Sequence, residues 1–157
     1  MGTAALHNRL PPRLRRTPDF RRAQHFGRHY RLGFLRLIIS RQSPNTRSGR
    51  GPDPNPSRVG FTISDKAVRG SVKRNRVRRL LKEAVRTSWR WMPPGYDIVL
   101  SAYTCPKFDH ALYVERVLLE LLIESGILTV SDSKAVRERL ATIPARYFEN
   151  NQRRTSP

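Results

Sequence analysis

Ten basic residues fall within residues 65–90, and five of them, Lys73, Arg74, Arg76, Arg78 and Arg79, lie within seven consecutive positions. Arg74 and Arg76 bracket Asn75, shortly after Ser71, a residue type that can cap a helix start. A helix start offers free backbone N–H groups and a partial positive charge, and both suit phosphate. Cationic side chains there oppose the helix dipole, so this density is unfavourable without an anionic partner. The plainer reading is a solvated helix face, but such faces usually mix both signs. Here only Asp65 and Glu83 accompany the ten cations.

Residues for bond chemistry are not in evidence. Glu115, Glu120 and Glu124 are spaced as a solvated helix face, with Arg116, rather than as a catalytic pair. His7, His25, His29 and His110 lack metal-ligand spacing. Cys105, the single cysteine, stands beside Pro106 with no nucleophile context, and it excludes an intrachain disulfide. No Gly-rich phosphate loop is present. The reading is therefore of a binding protein with no catalytic residue of its own.

Charge supports that reading. Lys and Arg total 31 against 12 Asp and Glu, a net charge of +19, and 26 of the cations are Arg. Arg presents a flat fork of donors to phosphate and stacks on bases. The excess is uneven: residues 1–64 carry +11, residues 65–90 carry +8, and residues 91–157 carry zero. A polyanion contact is thus expected in the first 90 residues. The longest apolar runs, Phe34–Ile39 and Val117–Ile123, are broken by Arg36 and Glu120 and are too short to span a bilayer. With no signal-like apolar run in Met1–Pro12, the chain reads as cytoplasmic, with no membrane partner.

The elements that must position the basic residues follow from periodicity. Residues 1–12 read as a disordered basic arm. Thr17-Pro18-Asp19 opens a short helix over Pro18–Phe26, stopped by Gly27. Phe34–Ser40 reads as a strand, and Arg41–Ser57, with no apolar residue, as a flexible loop. Arg58–Ser64 alternates as a half-buried strand, expected to pair with the one before it. Ser71 caps a helix to about Trp91, with Val77, Leu80, Leu81, Ala84 and Val85 as its buried stripe. Tyr96–Tyr103 is a central strand by its continuous apolar run. Asp109 caps a last main helix, His110–Ser125, which Gly126 ends. Beyond it, residues 129–157 read as a polar, loose tail with at most a short helix at Ala135–Leu140. The chain is expected to be one α+β domain over residues 13–128.

The block Arg58–Arg86, RVGFTISDKAVRGSVKRNRVRRLLKEAVR, resembles the bacterial ribonuclease P protein component family. Its hallmark is an RNR sequence opening a helix, after a strand of the type R-V-G-h-x-h-S with h apolar. LRRTPDFRRA at Leu14–Ala23 and GYDIVLSA at Gly95–Ala102 are similar to that family's first helix and later strand. The resemblance implies an α-β-β-β-α-β-α order with a left-handed βαβ crossover, related to a ribosomal-protein fold. Only three strands are evident from patterning, so a fourth must lie before Ser71.

The resemblance also implies partners and roles. The partners are the catalytic RNA subunit of ribonuclease P and precursor tRNA, whose 5′ leader is removed. Mg²⁺ is held mainly by the RNA subunit and substrate, not by a protein site. Arg74, Asn75, Arg76, Arg78 and Arg79 match the RNR helix that meets the catalytic RNA, and Lys82 keeps a basic position further on. Lys66 matches a lysine after the strand, and Arg69 and Lys73 extend the same basic turn. Phe20 matches an aromatic bordering the cleft for the single-stranded leader; its alternative role is core packing. Two departures matter. Asp65 stands where the family usually has Lys. Gln24 stands where a second cleft aromatic often lies, so leader stacking is expected either to be weaker or to come from Phe26 or Tyr30. Two rivals are a structural ribosomal protein, which shares the charge but does not predict the RNR helix, and a DNA-binding helix-turn-helix, disfavoured because a strand precedes the basic helix.

Overall fold

The computed structural model describes residues 11–42 and 56–148. Most of the arm 1–12, most of the loop 41–57 and the chain end lie outside the described residues. Helix α1 (Thr17–Phe26) leads into strands β1 (Arg28–Leu32), β2 (Leu35–Arg41) and β3 (Arg58–Ile63). Helix α2 (Ser71–Ser88), strand β4 (Tyr96–Ala102), helix α3 (Ala111–Ser125) and helix α4 (Val130–Thr142) follow. The order is α-β-β-β-α-β-α with one further helix, an α+β domain as expected.

The sheet runs β1-β2-β4-β3. The fourth strand is β1, whose sequence RHYRL shows no apolar alternation because it is an edge strand held only by β2. A two-residue turn joins them, and Gly33 supplies its positive φ of 57°. Strand β3 does not pair with β2. It lies parallel to β4, and β4 also pairs antiparallel with β2. The physical reason is burial. β4 is buried along nearly its whole length and needs a neighbour on each side, whereas β3 is only partly buried and suits an edge.

Alternation divides the sheet into two faces. Leu35, Leu37, Ile39, Val59, Ile98 and Leu100 meet α2 and α3 in the main core. Ile38 and Val99 face the other way, against Leu14, Ala23 and Phe20 of the α1 segment. Helix α1 is fastened there by Arg58, whose guanidinium donates to both Asp97 oxygens at 2.8 Å and reaches Asp19 at 3.4 Å. The hydrogen bonds to Asp97 raise the Arg58 pKa above its ordinary value, so this clasp keeps its charge.

Three expected caps differ. Arg16, not Thr17, precedes α1, with no side-chain cap. Gly70, with φ of 92°, precedes α2, so Ser71 is already helical. His110 caps α3, its ring Nδ1 accepting from the Leu112 N–H at 3.2 Å, while Asp109 turns to Arg76. Gly126 ends α3 as expected, at φ 71°.

The expected tail is largely folded. Thr129 caps α4 by accepting from the Asp132 N–H at 3.1 Å, and Val136, Ile143 and Tyr147 enter the core. This corrects the reading of α3 too. Glu115 and Arg116 are not solvated; they are 4% and 2% exposed. Arg139 of α4 donates to both Glu115 oxygens at 2.8 and 3.0 Å, and Arg116 binds Glu120 at 3.0 Å between the rings of Tyr113 and Phe148. The domain therefore extends past residue 128 to about Phe148. Replacing Arg139 by Met leaves Glu115 buried without its cation. A loss of about 2–3 kcal/mol is expected, below the full cost for a buried pair because Arg139 is partly solvated. Urea unfolding of R139M should show it, and E115Q/R139M should recover part of the loss.

Candidate nucleic-acid interface

The turn between β3 and α2 is built around one apolar anchor. Val68 is buried, its N–H bonds the Ser64 carbonyl at 2.9 Å, and the Ser64 N–H bonds the Ala102 carbonyl at 3.2 Å. Lys66 and Arg69 flank Val68 and project into solvent. Gly70 then turns the chain into α2. As Gly has no side-chain oxygen, the first N–H groups of α2 receive no cap, and the first turn holds no acid. The helix opens as an uncapped, positively charged end.

Val77, Leu81, Ala84 and Val85, with Leu80 packed beside them, pin α2 to the core and turn its basic positions outward. Arg74 is the most enclosed of the RNR residues: it pairs with Asp65 at 3.2 Å and donates to the Val68 carbonyl at 3.3 Å. Asp65 thus braces the turn by holding Arg74. Arg76 binds Asp109, and Arg78 donates to the Asn75 side-chain oxygen at 3.3 Å. Lys66, Arg69, Lys73, Arg79 and Lys82 are exposed and have no side-chain partner among the described residues. Five cations on one turn and one helix face are left for an external anion.

Phe20 lies apart from that turn but shares a groove with the same helix. A groove of about 350 Å³ runs beside β3, lined by Arg13, Arg15, Phe20, Gly60, Arg78 and Lys82 among others. The structure therefore joins Phe20 to Arg78 and Lys82, while Lys66, Arg69, Lys73, Arg76 and Arg79 do not line the groove. The Phe20 ring rests directly on Gly60, where a Cβ would come within 2.4 Å of it. Core packing and groove lining are both roles of Phe20. Phe26 and Tyr30 do not line this groove. Phe26 lies on the opposite flank of α1, and the Tyr30 hydroxyl donates to the Ser125 carbonyl at 3.4 Å.

Several basic residues were missed in the sequence. Arg13 and Arg15 are brought to the groove because the Leu14 N–H bonds the Val59 carbonyl and the Val59 N–H bonds the Pro12 carbonyl, both at 2.9 Å. Leu14, an apolar residue set among arginines, was the available signal. On the sheet face that carries α1, Arg31 and Arg36 stand opposite each other on β1 and β2 and both cover the Tyr103 ring, at 5.1 and 4.5 Å. Like charges facing across a strand pair are destabilising on their own. No sequence pattern predicted this pairing, since β1 itself was not recognised.

The architecture and surface define an α+β domain with a strongly basic face that joins an open helix end to an aromatic-lined groove. Comparison with known proteins is specific. The ribonuclease P family model matches residues 11–115. A ribonuclease P protein component from Roseiflexus sp. is 34% identical over 122 residues, covering 77% of this chain and 91% of the relative. One from Streptomyces avermitilis is 40% identical over 101 residues, covering 63% and 80%. Among solved structures, the Staphylococcus aureus RNase P protein superposes with a TM-score of 0.58 at 19% identity, covering 74% of this chain and 97% of that one. The Thermotoga maritima RNase P protein gives 0.56 at 23%, covering 71% and 96%. These two establish the fold. The chain belongs to the ribonuclease P protein family, the protein components of a tRNA-processing endoribonuclease.

The Gly60–Phe20 contact can be checked directly. Gly60→Ala should destabilise the domain by about 1–3 kcal/mol through overpacking. Phe20→Leu in the same chain should recover most of that loss in thermal melting, because the clashing ring is gone.

Proposed function

We propose that this chain is the protein subunit of ribonuclease P, binding the catalytic RNA with α2 and the preceding turn, and the 5′ leader of precursor tRNA with the Phe20 groove. The observation that carries this reading is the placement of Phe20, Arg78 and Lys82 around one groove on the flank of the helix whose exposed cations await a polyanion.

Each part has a task that its chemistry suits. The uncapped start of α2, with Lys66, Arg69 and Lys73, lies against RNA phosphates and offsets their mutual repulsion. Arg74 and Arg76 are held in place by Asp65 and Asp109 and present their remaining donors to the same backbone. Phe20 offers a ring face to an unpaired leader base, which tolerates any sequence, while Arg78, Lys82, Arg13 and Arg15 hold the adjoining phosphates. The RNA subunit with bound Mg²⁺ activates the water that cleaves the phosphodiester. No step of that chemistry is assigned to a protein side chain. The carboxylates on and beside the start of the basic helix, Glu83, Asp65 and Asp109, are each engaged by an arginine. This supports metal binding by RNA and substrate phosphates. The place of action is the cytoplasm, where precursor tRNA is made.

Reconstitution tests the proposal. The chain is added to the catalytic RNA of the same source at low Mg²⁺, and cleavage of a 5′-extended precursor tRNA is timed. Protein-dependent cleavage at the mature 5′ end is expected. Tight RNA binding by a folded protein without stimulation would instead indicate a structural RNA-binding role. Arg74→Ala with Arg76→Ala should weaken assembly with the RNA and reduce the salt slope of log K by roughly 1.5–2, two phosphate contacts' worth. Circular dichroism should remain native, since neither side chain belongs to the core. Phe20→Ala should lower affinity for a leader-bearing precursor more than for mature tRNA; equal losses for both would remove the leader role.

A further inference from the structure

Helix α1 has two flanks. Phe20 and Gln24, one turn apart, lie on the flank of the groove described above, and Arg22 and Phe26 lie on the other. Beside this second flank a separate pocket of about 640 Å³ opens across the end of the sheet, between the last turn of α1 and the C-terminus of α3. Arg22, Arg28 and Arg41 line it with Phe26 and Tyr30, and none of its lining residues is acidic. The three arginine side chains have no partner among the described residues. Phe26 is 73% exposed, unusual for a large apolar side chain in this protein.

This surface is held rigidly. The Gly27 N–H bonds the Ala23 carbonyl at 2.8 Å, and the His29 ring bonds the Gln24 carbonyl at 2.9 Å. A Cβ at Gly27 would meet the Ala23 carbonyl at 2.4 Å and the Ile38 side chain at 2.8 Å, so the corner admits only glycine. Phe26 and Arg28 therefore stand on a fixed corner between helix and strand. The His25 ring braces Phe26 edge-on at 4.6 Å.

Three unpaired arginine forks around an exposed ring have the chemistry of a nucleotide site. The arginines take phosphate oxygens and the ring takes a base face. An acidic peptide would engage the arginines but would give the ring no role. We propose that this pocket binds an unpaired nucleotide of the RNA subunit, its base on Phe26 and its flanking phosphates on Arg22, Arg28 and Arg41. The inference rests on the function proposed above. The RNA subunit is the source because a leader lying in the Phe20 groove would have to cross over α1 to reach Phe26.

The test measures binding of the full chain to a transcript of the RNA subunit across a salt series. Phe26→Ala should weaken binding about tenfold with an unchanged salt slope, because stacking carries no charge. Phe26→Tyr should restore it. Arg22→Gln, Arg28→Gln and Arg41→Gln together should lower the slope by about 2, as three single-strand phosphate contacts are lost. If these variants bind like the parent while Arg74→Ala with Arg76→Ala still weakens binding, the pocket proposal is overturned and the functional reading stands. A Phe26→Ala loss seen only with leader-bearing precursor overturns the assignment to the RNA subunit. A parent chain that binds the transcript no better than an unrelated RNA of equal length overturns both.

Discussion

Strands β3 and β4 run parallel and side by side, so the chain between them must cross over one face of the sheet before it returns. Helix α2 is that crossover, and Val77, Leu81, Ala84 and Val85 seat it on the face that α3 also covers. Its start must then lie just beyond the C-terminal end of β3, where the Ser64–Gly70 turn sets Lys66, Arg69 and Lys73 at an uncapped helix end. The same pairing sets Arg58 opposite Asp97 and Gly60 opposite Val99. The first pair clasps α1 through Asp19, and the second leaves the bare backbone on which Phe20 rests. Basic helix end and aromatic groove thus follow from one strand pairing.

Charge is partitioned by the fold rather than spread over it. Seven carboxylates, Asp19, Asp65, Glu83, Asp97, Asp109, Glu115 and Glu120, are in ion pairs with arginines of the same chain. Three of these pairings, at Asp97, Glu115 and Glu120, involve a buried or nearly buried partner; the first two tie β3 to β4 and α4 to α3, and the third lies within α3. These acids are engaged within the domain, and Arg22 of α1, Lys66 and Arg69 of the basic turn, and Lys73, Arg79 and Lys82 of α2 are left without an acidic partner among the described residues. Among the described residues the excess of cations is then directional, gathered on the surface around α1 and the start of α2. Bringing a polyanion to that face relieves repulsion that the domain's own carboxylates do not.

The α4 extension shows how context overrides a polar sequence. Val130–Thr142 carries few apolar residues, yet Val136 is fully buried and Arg139 reaches Glu115. Read along the chain, Glu115, Arg116 and Glu120 are a solvated stripe. Covered by α4 and the rings of Tyr147 and Phe148, they become an interior polar seam.

The sequence by itself determined the elements with strong periodicity and the chemistry they carry. The stripe of α2, the apolar run of β4, the glycine stops at Gly27 and Gly126 and the RNR block are local patterns, set by spacing along one element and, at Gly126, by glycine's access to positive φ. Tertiary structure alone decided what depends on distant partners. It placed β3 against β4 instead of β2, because a fully buried strand needs two neighbours. It made a strand of the polar RHYRL, because β2 supplied the hydrogen bonds. It separated Phe26 from Phe20 and brought Arg13 and Arg15 to Phe20, because helix flanks and sheet edges are defined only once α1 has docked. Burial and pairing are properties of two segments at once, and one-dimensional patterning records only one of them at a time.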